Sequence, residues 1–230
     1  MEVLMSDLVK EMRIAMDEVI HDEVNDIITD DSDTEMKQAI ETAAQQLLLQ
    51  APEAMLAPVI VKVSLGNEQD YDPIITQFTD GHGELTIPSD FVRLYELKLF
   101  SWQSSVRELM DPTSKEAQMQ ASRWTRGTPQ KPKAMLNVNQ YGNRVIVYWT
   151  AGRYQKPIKG TSIDQIYDHR IERFSYIPMA SIDKTNDGEK LVAALHPLAR
   201  KHIVYRAISV YLTSKKEAEL AEKYISLSQF

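Results

Sequence analysis

The stretch GELTIPSDFVRLYELKLFSW, residues 83–102, decides how the chain is read. An apolar segment begins at Leu85, is cut by Pro88-Ser89-Asp90, and resumes at Phe91 to finish near Trp102. Proline lacks the N–H that a sheet ladder needs, and short Ser and Asp side chains bond nearby backbone amides in turns. The pattern predicts a strand over residues 84–87, a sharp turn, and a new strand over residues 91–100.

Upstream of it, the β-branched run over residues 59–63 reads as a short strand, and Gly81-His82-Gly83 reads as a turn. Downstream, Asp111 caps a short helix over residues 113–122, with Pro112 in its first turn. Residues 126–132 read as a loop. Two strands, over residues 134–138 and 144–149, flank the turn Gln140-Tyr141-Gly142-Asn143. Residues 150–163 are irregular, residues 174–178 form a brief apolar element, and residues 183–187 read as a polar connection.

On both sides of this β region the period changes to that of a helix. Leu4, Leu8, Met12, Ala15, Met16, Val19 and Ile27 recur in steps of three and four. A second stripe, Met36, Ile40, Ala43, Leu47 and Leu48, follows a capping box of Ser32 and Glu35 and ends at Pro52. Near the C-terminus, residues 197–212 carry a stripe of Leu198, Ile203, Ala207, Ile208, Tyr211 and Leu212. Ser214 and Glu217 supply another capping box, opening a helix that turns Leu220, Ala221, Tyr224, Ile225 and Leu227 inward. The class is α+β. Residues 1–56 form an N-terminal helical hairpin, residues 57–188 a small antiparallel β unit with a basic insertion, and residues 189–230 a helix pair that joins the hairpin in a helical bundle.

The 230 residues are enough to bury a core, and the absence of cysteine excludes disulfides and thiolate metal sites. The first residues lack the basic head and apolar run of a signal peptide, and no apolar run reaches bilayer length. A protein made in a cytoplasm, with no membrane partner, is expected. The net charge of −7 is uneven: residues 1–56 carry −11 and residues 101–160 carry +7. Such asymmetry suits acidic and basic surfaces that meet between copies, or simply a solvated helix face beside basic loops. An acidic chain is a poor free DNA binder, because phosphate contacts supply most of that affinity.

Catalytic signatures are missing. There is no Gly-x-Ser-x-Gly elbow, no His-Glu-x-x-His and no phosphate loop, and His196 and His202 fall on different helix faces. A calcium loop starting at Asp31 would need Gly at 36 and Glu at 42, where Met36 and Thr42 stand. No catalytic residue, cofactor or metal is expected. The loop containing Arg123, Trp124, Arg126, Lys131 and Lys133 mixes cations with an aromatic. That mixture suits either a single nucleic-acid strand or an acidic protein neighbour.

The segment LTIPSDFVRLYELKLFSW resembles a pattern in phage head-to-tail adaptors, the tail tubular protein A and connector group, where a strand ending in Leu-Pro-x-Asp-Phe precedes a second strand and a Trp. Leu85, Ile87, Pro88, Asp90, Phe91, Leu94 and Trp102 match it, with Ser89 in the free slot. The segment RFSYIPMASID, with Pro178, and the closing stretch AALHPLARKHIVYRAISVYLTSKKEAELAEKYISL are similar to later parts of the same group, in the same order. Within that group the chain resembles the ring proteins of crAss-like phages. The resemblance implies a structural virion protein of the capsid–tail junction; the alternatives are another neck or tail protein, such as a head-completion factor or tail terminator, or a nucleic-acid-binding regulator. An adaptor would form a ring, commonly of twelve copies, between the portal protein and the next neck or tail ring protein, and DNA would pass through its channel without sequence-specific contacts. Tyr224 and Phe230, in the closing helix and tail, join the basic-loop residues as interface candidates. The long basic insertion between Val106 and Lys159 departs from the family pattern.

Overall fold

The computed structural model describes residues 1–17, 30–61, 75–77, 82–122, 124–149 and 171–229. The irregular stretch expected at residues 150–163, and Val19, Ile27, Arg123 and Phe230, lie outside them. In chain order the elements are β1 (Glu2–Leu4), α1 (Met5–Asp17), α2 (Asp30–Gln50), β2 (Val59–Val61), β3 (Ile75–Gln77), β4 (His82–Thr86), β5 (Phe91–Leu99) and α3 (Lys115–Met119). There follow β6 (Lys133–Val138), β7 (Arg144–Trp149), β8 (Ile171–Pro178), β9 (Ser181–Thr185), β10 (Gly188–Val192), α4 (Arg200–Ser214) and α5 (Ala218–Leu227). The fold is α+β, and the chain divides into two compact units: Met1–Ala57 with Ile177–Phe230, and Pro58–Tyr176.

In the first unit α1, α2 and α5 all pack against α4. The stripe read on α2 is the one that is buried, with Ile40, Ala43 and Leu48 fully enclosed. Ala207 of α4 is also fully enclosed, and small side chains such as these let helix backbones approach closely. The stripes elsewhere hold less completely. Leu198 is exposed because it belongs to a 3₁₀ turn, Pro197–Ala199, before α4 begins. Leu227, in the last turn of α5, is half exposed.

Four further local expectations fail in the first unit, each for a physical reason. Leu4 is not helical, because residues 2–4 pair antiparallel with β10, matching Glu2 to Val192 and Leu4 to Lys190. The polar stretch 183–187 is not a mere connection: it belongs to the β9–β10 hairpin, which turns through Gly188 at φ +119°. Neither capping-box serine opens its helix. α2 already starts at Asp30, which leaves Ser32 inside the helix. α4 runs through Ser214, whose hydroxyl donates back to the Tyr211 carbonyl, so α5 starts after Glu217 with no side-chain cap. A Ser inside a helix bonds to the preceding turn as readily as it caps a new one, so the sequence pattern does not separate the two cases.

The second unit contains the two remaining sheets, ordered β2-β8-β5 and β3-β4-β7-β6. The interruption at Pro88-Ser89-Asp90 is where the chain leaves the second sheet and enters the first. The Phe91 N–H donates to the Pro88 carbonyl at 3.2 Å, closing the corner. His82 and Gly83, expected in a turn, are instead paired within β4, opposite Trp149 and Tyr148. Both sheets feed one core of Leu85, Phe91, Leu94, Leu97, Ile146, Tyr148 and Phe174. Trp102 closes it at 3% exposure, edge-on to Tyr148 with centroids 5.8 Å apart. On the other face of β7, Val145, Val147 and Trp149 pack with Met110 and Met135. The Met110 N–H donates to the Ala134 carbonyl at 2.9 Å, so the segment before α3 is tied to β6, the edge strand of that sheet.

Candidate interaction surface

The basic loop read from the sequence is a hydrogen-bonded knob. Ser114, not Asp111, caps α3: its hydroxyl accepts from the Ala117 N–H at 3.1 Å. Asp111 instead receives both the Thr113 N–H and its hydroxyl, which hold its carboxyl below the usual range. At the end of α3, Gln120 is 2% exposed and staples the turn. Its Oε1 accepts from the Gly127 N–H at 2.7 Å, and its amide donates to the Glu116 carbonyl at 3.0 Å. A Cβ on Gly127 would lie 2.8 Å from the Lys133 backbone nitrogen, so this close approach needs glycine. Reciprocal bonds between Thr128 and Lys131, at 3.1 and 3.0 Å, close the turn through Pro129 and Gln130. The Gln103 N–H and the Ser104 hydroxyl then fix that turn through the carbonyls of Pro129 and Gln130.

At the summit of this scaffold Trp124 is 69% exposed, with Met119 half exposed on the same turn. The surrounding cations are unequal. Lys133 pairs with Glu116, and Arg126 donates to the Ala121 carbonyl at 3.3 Å. Lys131 and Lys115 point to solvent. The charge available to a phosphate backbone is thus smaller than the sequence count implied. What stands out is one exposed aromatic on a hydrogen-bonded scaffold with a thin cationic rim, the composition of a protein–protein hot spot.

A second projecting aromatic was not singled out from the sequence. Tyr141 tips the β6–β7 hairpin at 78% exposure. Asn139 organises that tip: its Oδ1 accepts from the N–H groups of Tyr141 and Asn143, both at 3.0 Å, and Gly142 takes φ +82°. The signal was present, since an aromatic at the centre of a short hairpin turn has no core within reach.

The first unit offers a concave feature. An open groove of about 390 Å³ is lined by Leu47, Gln50, Pro52, Arg206, Ser228 and Gln229. Arg206 is oriented there by its Nε, which donates to Gln46 Oε1 at 2.7 Å. Tyr224, an interface candidate on sequence, is 1% exposed, and its hydroxyl donates to the Ala15 carbonyl at 2.9 Å. The acidity of the hairpin is also partly engaged within the unit. Glu11 pairs with Arg200 at 2.6 Å, Glu35 with Lys215 at 2.5 Å, and Asp33 with Arg13. The Glu35 carboxylate beside Lys215 raises that ammonium above its ordinary value.

The residues of the opening motif hold the fold of the second unit. Asp90 accepts from the Tyr176 hydroxyl at 3.0 Å, and Phe91 stacks on the Tyr176 ring with centroids 5.7 Å apart. Leu85 is fully buried, Pro88 stands in the corner, and Pro178 ends β8. One buried charge accompanies them. Glu96, 8% exposed, takes two bonds from Arg173 at 3.1 and 3.4 Å. Burial pushes its carboxyl up, but bonds from Arg173 and Ser105 and the charges of Arg173 and Arg107 outweigh that and hold it below the usual range. Among the described residues no three His, Asp or Glu side chains gather as a metal site would. No described helix is long and apolar enough to cross a membrane. Compared with known proteins, the chain matches no family model and no curated protein.

Proposed function

We propose that this protein is a phage head-to-tail adaptor: a structural ring protein under the portal, forming part of the channel through which DNA leaves the capsid. The observation that carries the reading is the resemblance of three segments, in order, to that group, beginning with the Ile-Pro-Ser-Asp-Phe corner and its Trp102. The architecture is compatible with it. A head-to-tail ring needs two different and complementary surfaces on each copy. A projecting knob on one compact unit and a groove on the other are two such features. In this reading the four long helices form a bundle that makes the ring wall. The β unit reaches neighbouring copies, the portal and the next neck or tail protein, and DNA passes without sequence-specific contact.

A nucleic-acid-binding regulator is the second reading, favoured by an exposed Trp124 in a segment of net charge +7. It requires the lone chain to bind DNA with steep salt dependence, whereas an adaptor binds weakly or not at all. The deciding experiment for the adaptor is gold-labelling of intact particles with an antibody to this chain. Label at the capsid–tail junction is the expected result. Unlabelled particles from cells that contain the protein would sink the adaptor reading.

A further inference from the structure

Resting on the ring reading, we propose that Trp124 of one copy seats in the groove lined by α2, α4 and the residues that follow α5 of a second copy, and that this contact is the repeating bond between subunits. Three observations meet in it. Trp124 is the most exposed tryptophan and stands on a scaffold already fixed by Gln120, Gly127 and the Thr128–Lys131 bridge, so little conformational freedom is lost when it docks.

The groove has the room and chemistry for one indole. Its volume of about 390 Å³ is more than one indole fills, Leu47 and Pro52 give it apolar wall, and Gln50, Ser228 and Gln229 supply acceptors for an indole N–H. Arg206 presents a planar cation, held in place by Gln46, of the kind that stacks on an aromatic face. Charge at the two rims is complementary as well. Lys131 is exposed beside the knob, and Glu53, next in sequence to the lining residue Pro52, is exposed as well.

The contact joins unlike surfaces, so a copy with its groove filled still offers its own knob. Repetition of such a bond gives a closed ring or an open helix, according to the rotation between copies. A nucleic-acid strand is a weaker occupant for the knob, because one indole with Lys133 and Arg126 already engaged is neither a stacking platform nor a phosphate track.

The test is site-specific photo-crosslinking of the full chain, with benzoylphenylalanine at position 124 and, in a second variant, at Leu49, an exposed residue between Leu47 and Gln50 in sequence. Equal amounts of ¹⁵N-labelled and unlabelled chain are mixed and irradiated at increasing concentration. Mixed-isotope links from position 124 to residues 47–53, 206 or 228–229, and from position 49 to residues 119–131, are expected. Links to any other surface, or none up to the solubility limit, overturn the proposal. Trp124→Ala should weaken association by roughly thirtyfold, as loss of a hot spot does. Lys131→Glu and Glu53→Lys should each weaken it about threefold and restore it when combined. Failure to restore removes the proposed pairing of the two rims. The ring reading fails separately, by absence of the protein from the capsid–tail junction. A labelled junction with links mapping elsewhere sinks this contact alone.

Discussion

The Tyr176 hydroxyl donates to both oxygens of Asp90, at 3.0 and 3.3 Å, while the Tyr176 ring stacks between Phe91 and Phe174, each 5.7 Å away. This pair locks the corner where the chain passes from one sheet to the other, because Asp90 lies in the turn and Tyr176 lies on β8. A bond to a charged carboxylate in a partly buried site contributes more than an exposed one. Tyr176→Phe, which keeps the stacking, should cost about 1–2 kcal/mol of stability in urea unfolding. Asp90→Ala should cost a similar amount, and the double variant little more than either alone. Full additivity would mean that the two groups do not act together.

Gly83 faces Tyr148 across the β4–β7 ladder, and a Cβ there would sit 2.5 Å from the ring Cζ. The ring cannot withdraw, since Tyr148 is fully enclosed and packs edge-on against Trp102. Gly83→Ala should therefore destabilise the protein by about 2 kcal/mol, the usual cost of overpacking a core. Tyr148→Val should relieve most of that added cost, although it opens a cavity of its own. A Gly83→Ala variant with unchanged urea midpoint would refute the close approach.

Glu96 gives the stability a definite pH dependence. Its folded carboxyl titrates below the unfolded value of 4.5, so its contribution is fully present above that pH and is lost as the pH falls through the lower, folded value. Glu96→Gln removes this dependence. The stability gap between wild type and variant should be constant near neutrality and shrink progressively below about pH 4.5, as followed by circular dichroism in urea. A gap that widens on acidification would reverse the sign of the assignment.

Much of the helical packing was legible because burial obeys the 3.6-residue period. Met36, Ile40, Ala43, Leu47 and Leu48 are all buried. The Pro-Ser-Asp corner was legible for a chemical reason: proline cannot join a ladder, so a break there follows from covalent structure. Helix ends were not, since Ser32 and Ser214 carry cap-like spacing inside helices whose ends are set by tertiary packing. The β1–β10 pairing joins residues at opposite ends of the chain, and nothing in residues 2–4 announces so distant a partner. For the interaction surface, composition located the cations and Trp124, but only the Gln120 and Gly127 contacts reveal that the loop is rigid. The groove could not be read at all, because it is made of residues from α2, α4 and the segments after α2 and α5, brought together by folding.

The three tryptophans make that rigidity and exposure measurable in solution. Trp102 and Trp149 are 3% and 7% exposed, whereas Trp124 is 69% exposed. Iodide does not enter a packed core, so it should quench a single accessible fraction of the fluorescence. Trp124→Phe should abolish that fraction while leaving the thermal unfolding midpoint unchanged, since a surface side chain away from the core contributes within about 0.5 kcal/mol. Gly127→Ala should act differently. Its new Cβ presses on the Lys133 backbone, loosens the knob, and raises the rotational mobility of Trp124 seen in fluorescence anisotropy without burying it. If Trp124 enters the groove of a second copy, the quenchable fraction should fall as protein concentration rises through the association range. An iodide-accessible Trp124 in the assembled ring would show that the knob faces something other than its own kind.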